Sequence, residues 1–305
     1  MFRYILKRLG QSIIVLLGVT LVVFVVMNLT GDPLDFILPP GTPPEVYDRY
    51  EKELGYDQPI AVQYGRFLIN AVQGDFGESH YYKKPAMEVV LSRVPATLQL
   101  ALTALGLSIL VGIPLGVLAA IKRGTPLDAS IRFVALLGQC VPIFWLGMVL
   151  MLVFSIMLRW LPTYGNGSLK HLILPAVALS AYSCASIARL VRSGMIDVLG
   201  QEYITVARAK GVRELAVIMK HAFKNSLSSV LTILGLQMAS LLGGSLVTET
   251  VFSWPGLGRL LQQAVLNRDF TVVEAVVCLI ACTFVLVNLL VDIFYAVINP
   301  RIKYQ

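Results

Sequence analysis

The stretch that decides the fold is residues 196–228, IDVLGQEYITVARAKGVRELAVIMKHAFKNSLS, a charged segment between two very apolar runs. Its first half repeats apolar residues at spacings of three and four, as an amphipathic helix requires, at Ile196, Leu199, Tyr203 and Val206. Arg208 and Lys210 follow in the last turn. Gly211 then stands where a helix ends in the left-handed conformation, which a residue without a Cβ adopts at low cost. The pattern predicts a helix that ends in a glycine bend.

A second helical pattern follows the bend. It places apolar side chains on one face, at Leu215, Ile218, Met219 and Ala222, and cations on the other, at Arg213, Lys220 and Lys224. The whole stretch is therefore expected to lie at a membrane surface as a short helix, a bend and a second helix.

The composition is that of a membrane protein. Hydrophobic residues make up 56% of the 305 residues and charged residues only 14%, whereas soluble proteins carry about 25% charged residues. The net charge of +7 could suggest a nucleic-acid partner. Because the basic residues cluster between apolar runs, we expect an anionic membrane face instead and no nucleic acid.

Uncharged runs define the expected spans. They cover residues 9–31, 94–121, 133–158, 171–188, 225–248 and 275–291. Each can cross the hydrocarbon core, which takes about 20 helical residues, so the sequence predicts six transmembrane helices. The first run is too long for a secretion signal and lacks a small-x-small cleavage site, and we expect it to stay as a helix. With the N-terminus inside, 15 of the 25 Lys and Arg residues fall on the inner side, which predicts that both termini are cytoplasmic.

Several segments carry a family resemblance. Glu202-Tyr203 followed by Ala207-Arg208-Ala209-Lys210-Gly211 resembles the cytoplasmic "EAA" loop of bacterial ABC importer permeases, in the version found in peptide-type importers. Similar motifs are Leu54-Gly55-Tyr56-Asp57-Gln58-Pro59, Gly74-Asp75-Phe76-Gly77, Arg93-x-Pro95-x-Thr97-Leu98, Phe252-x-x-Pro255-Gly256-Leu257-Gly258-Arg259 and Asn299-Pro300-Arg301. The chain departs from the family at Thr30 and Ser229, which stand where prolines are common, and at Thr205 and Val206, which replace the Glu and the first Ala of the general motif.

The resemblance implies an all-α type I ABC importer permease in the bacterial inner membrane. Residues 1–30 would form the N-terminus and first span, residues 31–95 an external helical loop, and residues 96–305 the permease core with its coupling loop at 196–228. The chain would form half of a path for di- or oligopeptides. Its implied partners are a second homologous permease, two ATPase subunits that hold ATP and Mg, and an external substrate-binding protein. Glu202, Tyr203 and 207–211 would contact the ATPase.

The residues themselves leave alternatives. Polar groups within a bilayer are candidates for a path, and Gln139, Gln237, Ser240 and Glu249 are the ones we single out. Each amide or hydroxyl could instead hold helices together, and Glu249 could reach water. No P-loop, zinc-protease or serine-hydrolase pattern occurs in the sequence, and no metal site is expected at Cys278 and Cys282, which lack a further nearby ligand.

Three other functions remain open. Nickel and glutathione importers have similar permeases, so the cargo is not fixed by the resemblance. A channel or secondary transporter would need no ATPase, but it is expected to carry charged or discontinuous helices at mid-membrane.

Overall fold

The computed structural model describes the backbone of residues 2–30, 34, 38 and 41–298. Within these, side chains are described except at 2–7, 30, 54, 227–234, 236, 239, 242, 244, 292 and 294–298. The Asn299-Pro300-Arg301 motif lies outside the described residues.

The described chain is almost entirely helical. In chain order the elements are α1 (Phe2–Thr30), α2 (Pro44–Leu54), α3 (Ile60–Gln73), β1 (Glu78–Ser79), β2 (Lys84–Pro85), α4 (Ala86–Ile121), α5 (Pro126–Cys140), α6 (Ile143–Leu150), α7 (Leu169–Leu199), α8 (Glu202–Ala209), α9 (Glu214–Ala216), α10 (Lys224–Val251), α11 (Leu257–Leu266) and α12 (Phe270–Ile298). π-Helical turns continue α6 over Met151–Met157 and α9 over Val217–Phe223. The two strands pair antiparallel.

Among the described residues, four helices are long and apolar enough to cross a membrane: Arg8–Leu29, Ala86–Ile121, Leu169–Leu199 and Phe270–Val291. A fifth candidate is the pair α5 and α6 with its π-helical continuation, bent by 107°. α10 is a further continuous helix of 28 residues, with side chains described only in part. It coincides with the fifth predicted span.

The predicted span over residues 133–158 is not one continuous helix, because it is interrupted at Val141 and Pro142. Pro142 has no N–H for the helix ladder, and it confines Val141 to an extended backbone, with φ −77° and ψ 125°. The first part of this region, α5, begins at Pro126, seven residues before the predicted span. The second predicted span, residues 94–121, lies in α4, which begins eight residues earlier, at Ala86.

The chain divides into two compact units. The first comprises Met1–Thr97 and Pro255–Leu286, and the second Leu98–Trp254 and Val287–Gln305. In the first unit, the segment predicted as a helical loop, residues 31–95, contains the helices α2 and α3. Each has a proline before or at its first turn and ends at a glycine with positive φ, Gly55 at 75° and Gly74 at 77°. This asymmetry of proline at the start and glycine at the end is typical of helix termini.

A buried carboxylate fixes the hairpin of the first unit. Asp269 is fully buried and accepts hydrogen bonds from the hydroxyls of Ser79 in β1 and Thr271 in α12. A buried charge is tolerated when donors surround it. The core nearby contains Val90, Leu260 and Val276.

In the second unit, α7 is the central helix. In its most apolar stretch 67% of the residues are buried, whereas the value is 33% or less for the other three spans. Small residues let its neighbours approach closely. A Cβ on Gly112 of α4 would lie 2.8 Å from the Cys184 carbonyl oxygen, and one on Gly116 would lie 2.6 Å from that of Ala188. Close backbone approach of this kind is a main source of helix association within a bilayer.

This packing predicts that Gly116→Ala destabilises the protein. The added methyl would also lie 2.7 Å from Val191 Cβ, so α4 and α7 must separate, at a cost of about 1–3 kcal/mol. Gly106→Ala on the same helix is the matched control, because its Cβ would meet no atom within 4 Å. Thermal unfolding of both variants in detergent checks the difference. Equal midpoints for the two variants would contradict the packing argument.

Candidate functional site

The bend at Gly211 has the geometry predicted from the sequence. α8 ends at Ala209, and Gly211 has φ 75°. The Gly211 N–H donates to the Arg208 carbonyl oxygen at 2.9 Å, and the Val212 N–H donates to that of Ala207 at 3.2 Å. These two bonds form a Schellman motif, which satisfies the last carbonyl groups of the helix. A Cβ at this position would meet no atom within 4 Å, so glycine is favoured here by the backbone conformation alone.

An ion pair joins the two helices on either side of the bend. Arg208 donates from Nε to Glu214 Oε2 at 3.1 Å and from Nη2 to Oε1 at 2.7 Å. Hydrogen bonding to Arg208 holds the pKa of the Glu214 carboxyl below its ordinary value. Because the pKa of Glu214 is lower in the folded than in the unfolded chain, the pair stabilises the fold at pH values above the unfolded-state pKa. This stabilisation is lost as the pH falls through the folded-state pKa. Both side chains are about half exposed, so solvent screens the pair.

The predicted apolar face of the first helix is wrong. The helix is interrupted at Gly200 and Gln201, between α7 and α8, so residues on either side of the break no longer share one face. In α8 the buried residue is Ile204, whereas Tyr203 is 43% and Val206 51% exposed. The hydroxyl of Tyr203 accepts a hydrogen bond from Asn225 Nδ2 at 2.9 Å.

The second predicted face is also different. The π-helical turn over Val217–Phe223 inserts an extra residue per turn, which shifts the face that packs inward. Val217 and Ala222 are buried, whereas Leu215 is 72% and Met219 49% exposed. A pattern read at 3.6 residues per turn could not show this shift.

An exposed surface results, which we call the coupling surface. It comprises the apolar residues Tyr203, Val206, Leu215 and Met219 and the cations Arg208, Lys210, Arg213 and Lys220, all exposed. Of the other residues predicted to contact a partner, Glu202, Ala209 and Gly211 are exposed and Ala207 is half-buried. Exposed apolar side chains with cations between them in the sequence suit a partner surface that offers both apolar and acidic groups.

Sequence reasoning missed a buried ion pair at the start of α5. Asp128 is 1% exposed and accepts two hydrogen bonds from Arg192 of α7, from Nε at 2.7 Å and from Nη2 at 2.9 Å. The Gly124 N–H donates to the same carboxylate at 3.1 Å, and Arg132 Nε lies 3.3 Å from it. The pattern Thr125-Pro126-x-Asp128 could have located it. A threonine cap, a proline at the first position and an acid two positions later mark a helix start.

Two predicted path residues contact the same helix. Gln139 Nε2 of α5 donates to Ser186 Oγ of α7 at 3.0 Å, and Ser183 Oγ of α7 donates to Gln237 Oε1 of α10 at 2.8 Å. Here the structure shows the interhelical hydrogen bonds that were the alternative to a path role.

The remaining two predicted path residues differ in exposure. Ser240 is exposed, whereas Glu249 is fully buried. The alternative that Glu249 reaches water is therefore wrong. A path role for any of the four residues stays a prediction. Among the described residues, no group of three or more His, Cys, Asp or Glu side chains could hold a metal ion.

Comparisons with known proteins point in one direction. The pattern of the family described as "Binding-protein-dependent transport system inner membrane component" matches residues 112–304, and that of the corresponding N-terminal segment matches residues 1–101. The glutathione transport system permease protein GsiC of Salmonella paratyphi A is 44% identical over the full length of both chains. A Brucella abortus protein named as a peptide transport system permease is 43% identical, also over both full lengths.

Solved structures give the fold. The inward-facing MetNI methionine ABC transporter is similar with a TM-score of 0.60 and 20% identity, over 69% of this chain and 96% of that one. An amino acid ABC transporter gives a TM-score of 0.55 and 18% identity, over 68% and 93% of the two chains.

The buried pair predicts unequal effects for two arginines that contact one carboxylate. Arg192→Gln leaves Asp128 buried without its bidentate partner, which is strongly unfavourable, and the unfolding midpoint in detergent should fall by several degrees. Arg132→Gln removes a contact whose side chain is 57% exposed and should change the midpoint little. If both variants unfold at the wild-type midpoint, Asp128 has no need of a buried partner and the argument fails.

Proposed function

Since the chain belongs to the family of inner membrane components of binding-protein-dependent transport systems, we propose that it forms half of the translocation path for di- or oligopeptides. The predicted identity, an inner-membrane permease of a peptide-type ABC importer, is confirmed by the family patterns and by full-length relatives above 40% identity. The predicted type I permease fold is confirmed by the likeness to solved importers. The chain is a multi-pass inner membrane protein.

Peptides are the cargo that the relatives favour. One set is named for peptide transport and another for glutathione, and glutathione is itself a short peptide. A glutathione importer is therefore the second candidate, and nickel, the third cargo that the resemblance implies, has no support among these relatives. The amide and hydroxyl groups of Gln139, Ser183, Ser186 and Gln237 could exchange their mutual hydrogen bonds for bonds to a peptide backbone.

The coupling surface is the observation that carries the rest of the proposal. Its exposed apolar residues, such as Leu215 and Val206, would be covered by an ATP-hydrolysing subunit. The sequence contains no P-loop pattern, which is consistent with ATP and Mg being held by two partner subunits. A second permease and an external binding protein would complete the transporter. The distribution of Lys and Arg supports cytoplasmic termini and a cytoplasmic coupling surface.

Coupling would proceed through α7. α8 follows α7 after only Gly200 and Gln201, so a displacement of the coupling surface pulls on the end of α7. α7 is joined to α5 by the pair of Arg192 with Asp128. Partner subunits that contact the coupling surface differently when open and closed would shift the equilibrium between permease conformations, because only differential contact can do so.

We predict that Gly211→Pro and Arg208→Glu uncouple ATP hydrolysis from uptake while leaving the chain inserted in the membrane. Proline cannot adopt φ 75°, and glutamate at 208 would repel Glu214. Uptake in cells and ATPase activity in proteoliposomes measure the effect. The exchange Arg208→Glu with Glu214→Arg restores the ion pair and should recover uptake in part, if the pair acts by shaping the bend.

Arg49→Glu is the control for charge reversal, since it breaks an exposed ion pair with Glu53 in α2 and should leave uptake unchanged. Normal uptake in both Gly211→Pro and Arg208→Glu would count decisively against the coupling role.

Photo-crosslinking tests the partner and the orientation together. Benzoylphenylalanine in place of Val206 or Leu215 should crosslink to an ATP-hydrolysing subunit in the assembled transporter. The same group in place of Val72, which is 89% exposed in α3, should not, because α3 is expected on the outer side. Crosslinks to the ATPase from position 72 but not from 206 or 215 would reverse the proposed orientation.

A further inference from the structure

A hydrogen bond joins the coupling surface to α10 without passing through α7. Asn225 is the second residue of α10, and its Nδ2 donates to the Tyr203 hydroxyl of α8 at 2.9 Å. The same nitrogen donates to the His221 carbonyl oxygen of the π-helical turn at 2.8 Å. One amide group therefore connects α8, the π-helical turn and the start of α10.

The local bond fixes the direction of this amide. The side-chain nitrogen of an asparagine carries two hydrogens, and the bond to His221, four positions back in the chain, engages one of them and leaves the other for Tyr203. Tyr203 is 43% exposed and Asn225 is also exposed, so water can replace the bond between them and its net contribution to the stability of the fold is small. Its main consequence is that α8 and the start of α10 are held together.

The start of α10 is packed closely on α7. Ser226, which follows Asn225, is buried, and a Cβ on Gly194 of α7 would lie 3.3 Å from the Cβ of this serine. α10 then continues as one helix and carries two of the residues predicted for the path, Gln237 and Ser240. They lie 12 and 15 positions after Asn225, which is about 20 Å along a helix. A displacement of the start of α10 therefore reaches the region of these predicted path residues.

We propose that Asn225 is a positioning residue for transport, which passes displacements of the coupling surface to α10 through the Tyr203 hydroxyl. The inference rests on the proposed function, because such displacements arise only when an ATP-hydrolysing subunit docks on the coupling surface. The polypeptide leads from α8 to α10 by way of the bend at Gly211 and the π-helical turn, whereas the hydrogen bond joins the two helices directly. This route acts in parallel with the one through α7.

A reporter on α10 tests this route in the assembled transporter. Dansylalanine in place of Ser240, which is exposed, should change its fluorescence when a non-hydrolysable ATP analogue is added. Tyr203→Phe and Asn225→Ala each remove one partner of the bond. Each should raise the analogue concentration that gives half of the change about two- to tenfold, because the coupling between two sites is reciprocal and one hydrogen bond is lost. Since both substitutions act on one bond, the double variant should shift no further than Asn225→Ala alone.

Asn225→Asp separates the bond to Tyr203 from the bond to His221. A carboxylate cannot donate to a carbonyl oxygen, but it accepts from the tyrosine hydroxyl, which is a donor as well as an acceptor. The half-change concentration of this variant should therefore lie nearer the wild type than that of Asn225→Ala, and the advantage should disappear when Tyr203→Phe is added. An asparagine that only supports its own helix predicts instead that aspartate is no better than alanine, and that result overturns the proposal.

Asn28→Ala is the matched control. Asn28 Nδ2 donates to the Phe24 carbonyl oxygen four positions back at 2.9 Å and has no partner in another helix among the described residues, so this variant should respond as the wild type does. A wild-type reporter that does not respond although the crosslinks to the ATP-hydrolysing subunit form, or a wild-type response in both Tyr203→Phe and Asn225→Ala, overturns the role of Asn225 and leaves the proposed function standing. If neither crosslink forms, the proposed function itself is contradicted, and this inference with it.

Discussion

The close packing of α7 against its neighbours is the constraint on which the second unit depends. Within lipid, apolar side chains gain little by leaving their surroundings, so helices associate through close contact and through polar groups that pair with one another. α7 uses both. Gly112 and Gly116 of α4 approach its backbone, and its Ser183 and Ser186 pair with glutamines on α10 and α5. The proposed coupling through α7 requires a helix that is held on several sides in this way.

The pair of Asp128 with Arg192 extends this constraint toward the coupling surface. A buried carboxylate with a bidentate guanidinium, a backbone N–H and a second arginine nearby has its charge well compensated. The main effect of the pair is on orientation and not on net stability. The planar guanidinium of Arg192 fixes the start of α5 relative to the last two turns of α7. Only Gly200 and Gln201 separate the end of α7 from α8, which carries the first residues of the coupling surface.

The sequence could predict what depends on composition and on local backbone chemistry. Uncharged runs located the predicted spans, residues 31–95 were expected to be helical, and Gly211 was placed in the left-handed conformation that the structure shows. What it could not predict depends on tertiary packing. The π-helical turn after Ala216 has no local signature, so Leu215 and Met219 were assigned to the wrong face. Pro142 is a local signal for a break in the helix, but the apolar residues on both sides of it were assigned to one span.

The bend at Gly211 is formed without a partner, and this bears on how a motor subunit could use it. Its Schellman bonds and the ion pair of Arg208 with Glu214 are all local to residues 207–214. A surface that is ordered before it docks loses little conformational entropy on binding, so the binding free energy can be used to discriminate between partner conformations. The exposed ion pair is weak and screened, whereas the glycine conformation is fixed by the backbone. The shape of the bend therefore rests mainly on Gly211, and under the proposed coupling the charges around it would serve mainly to orient the docking partner.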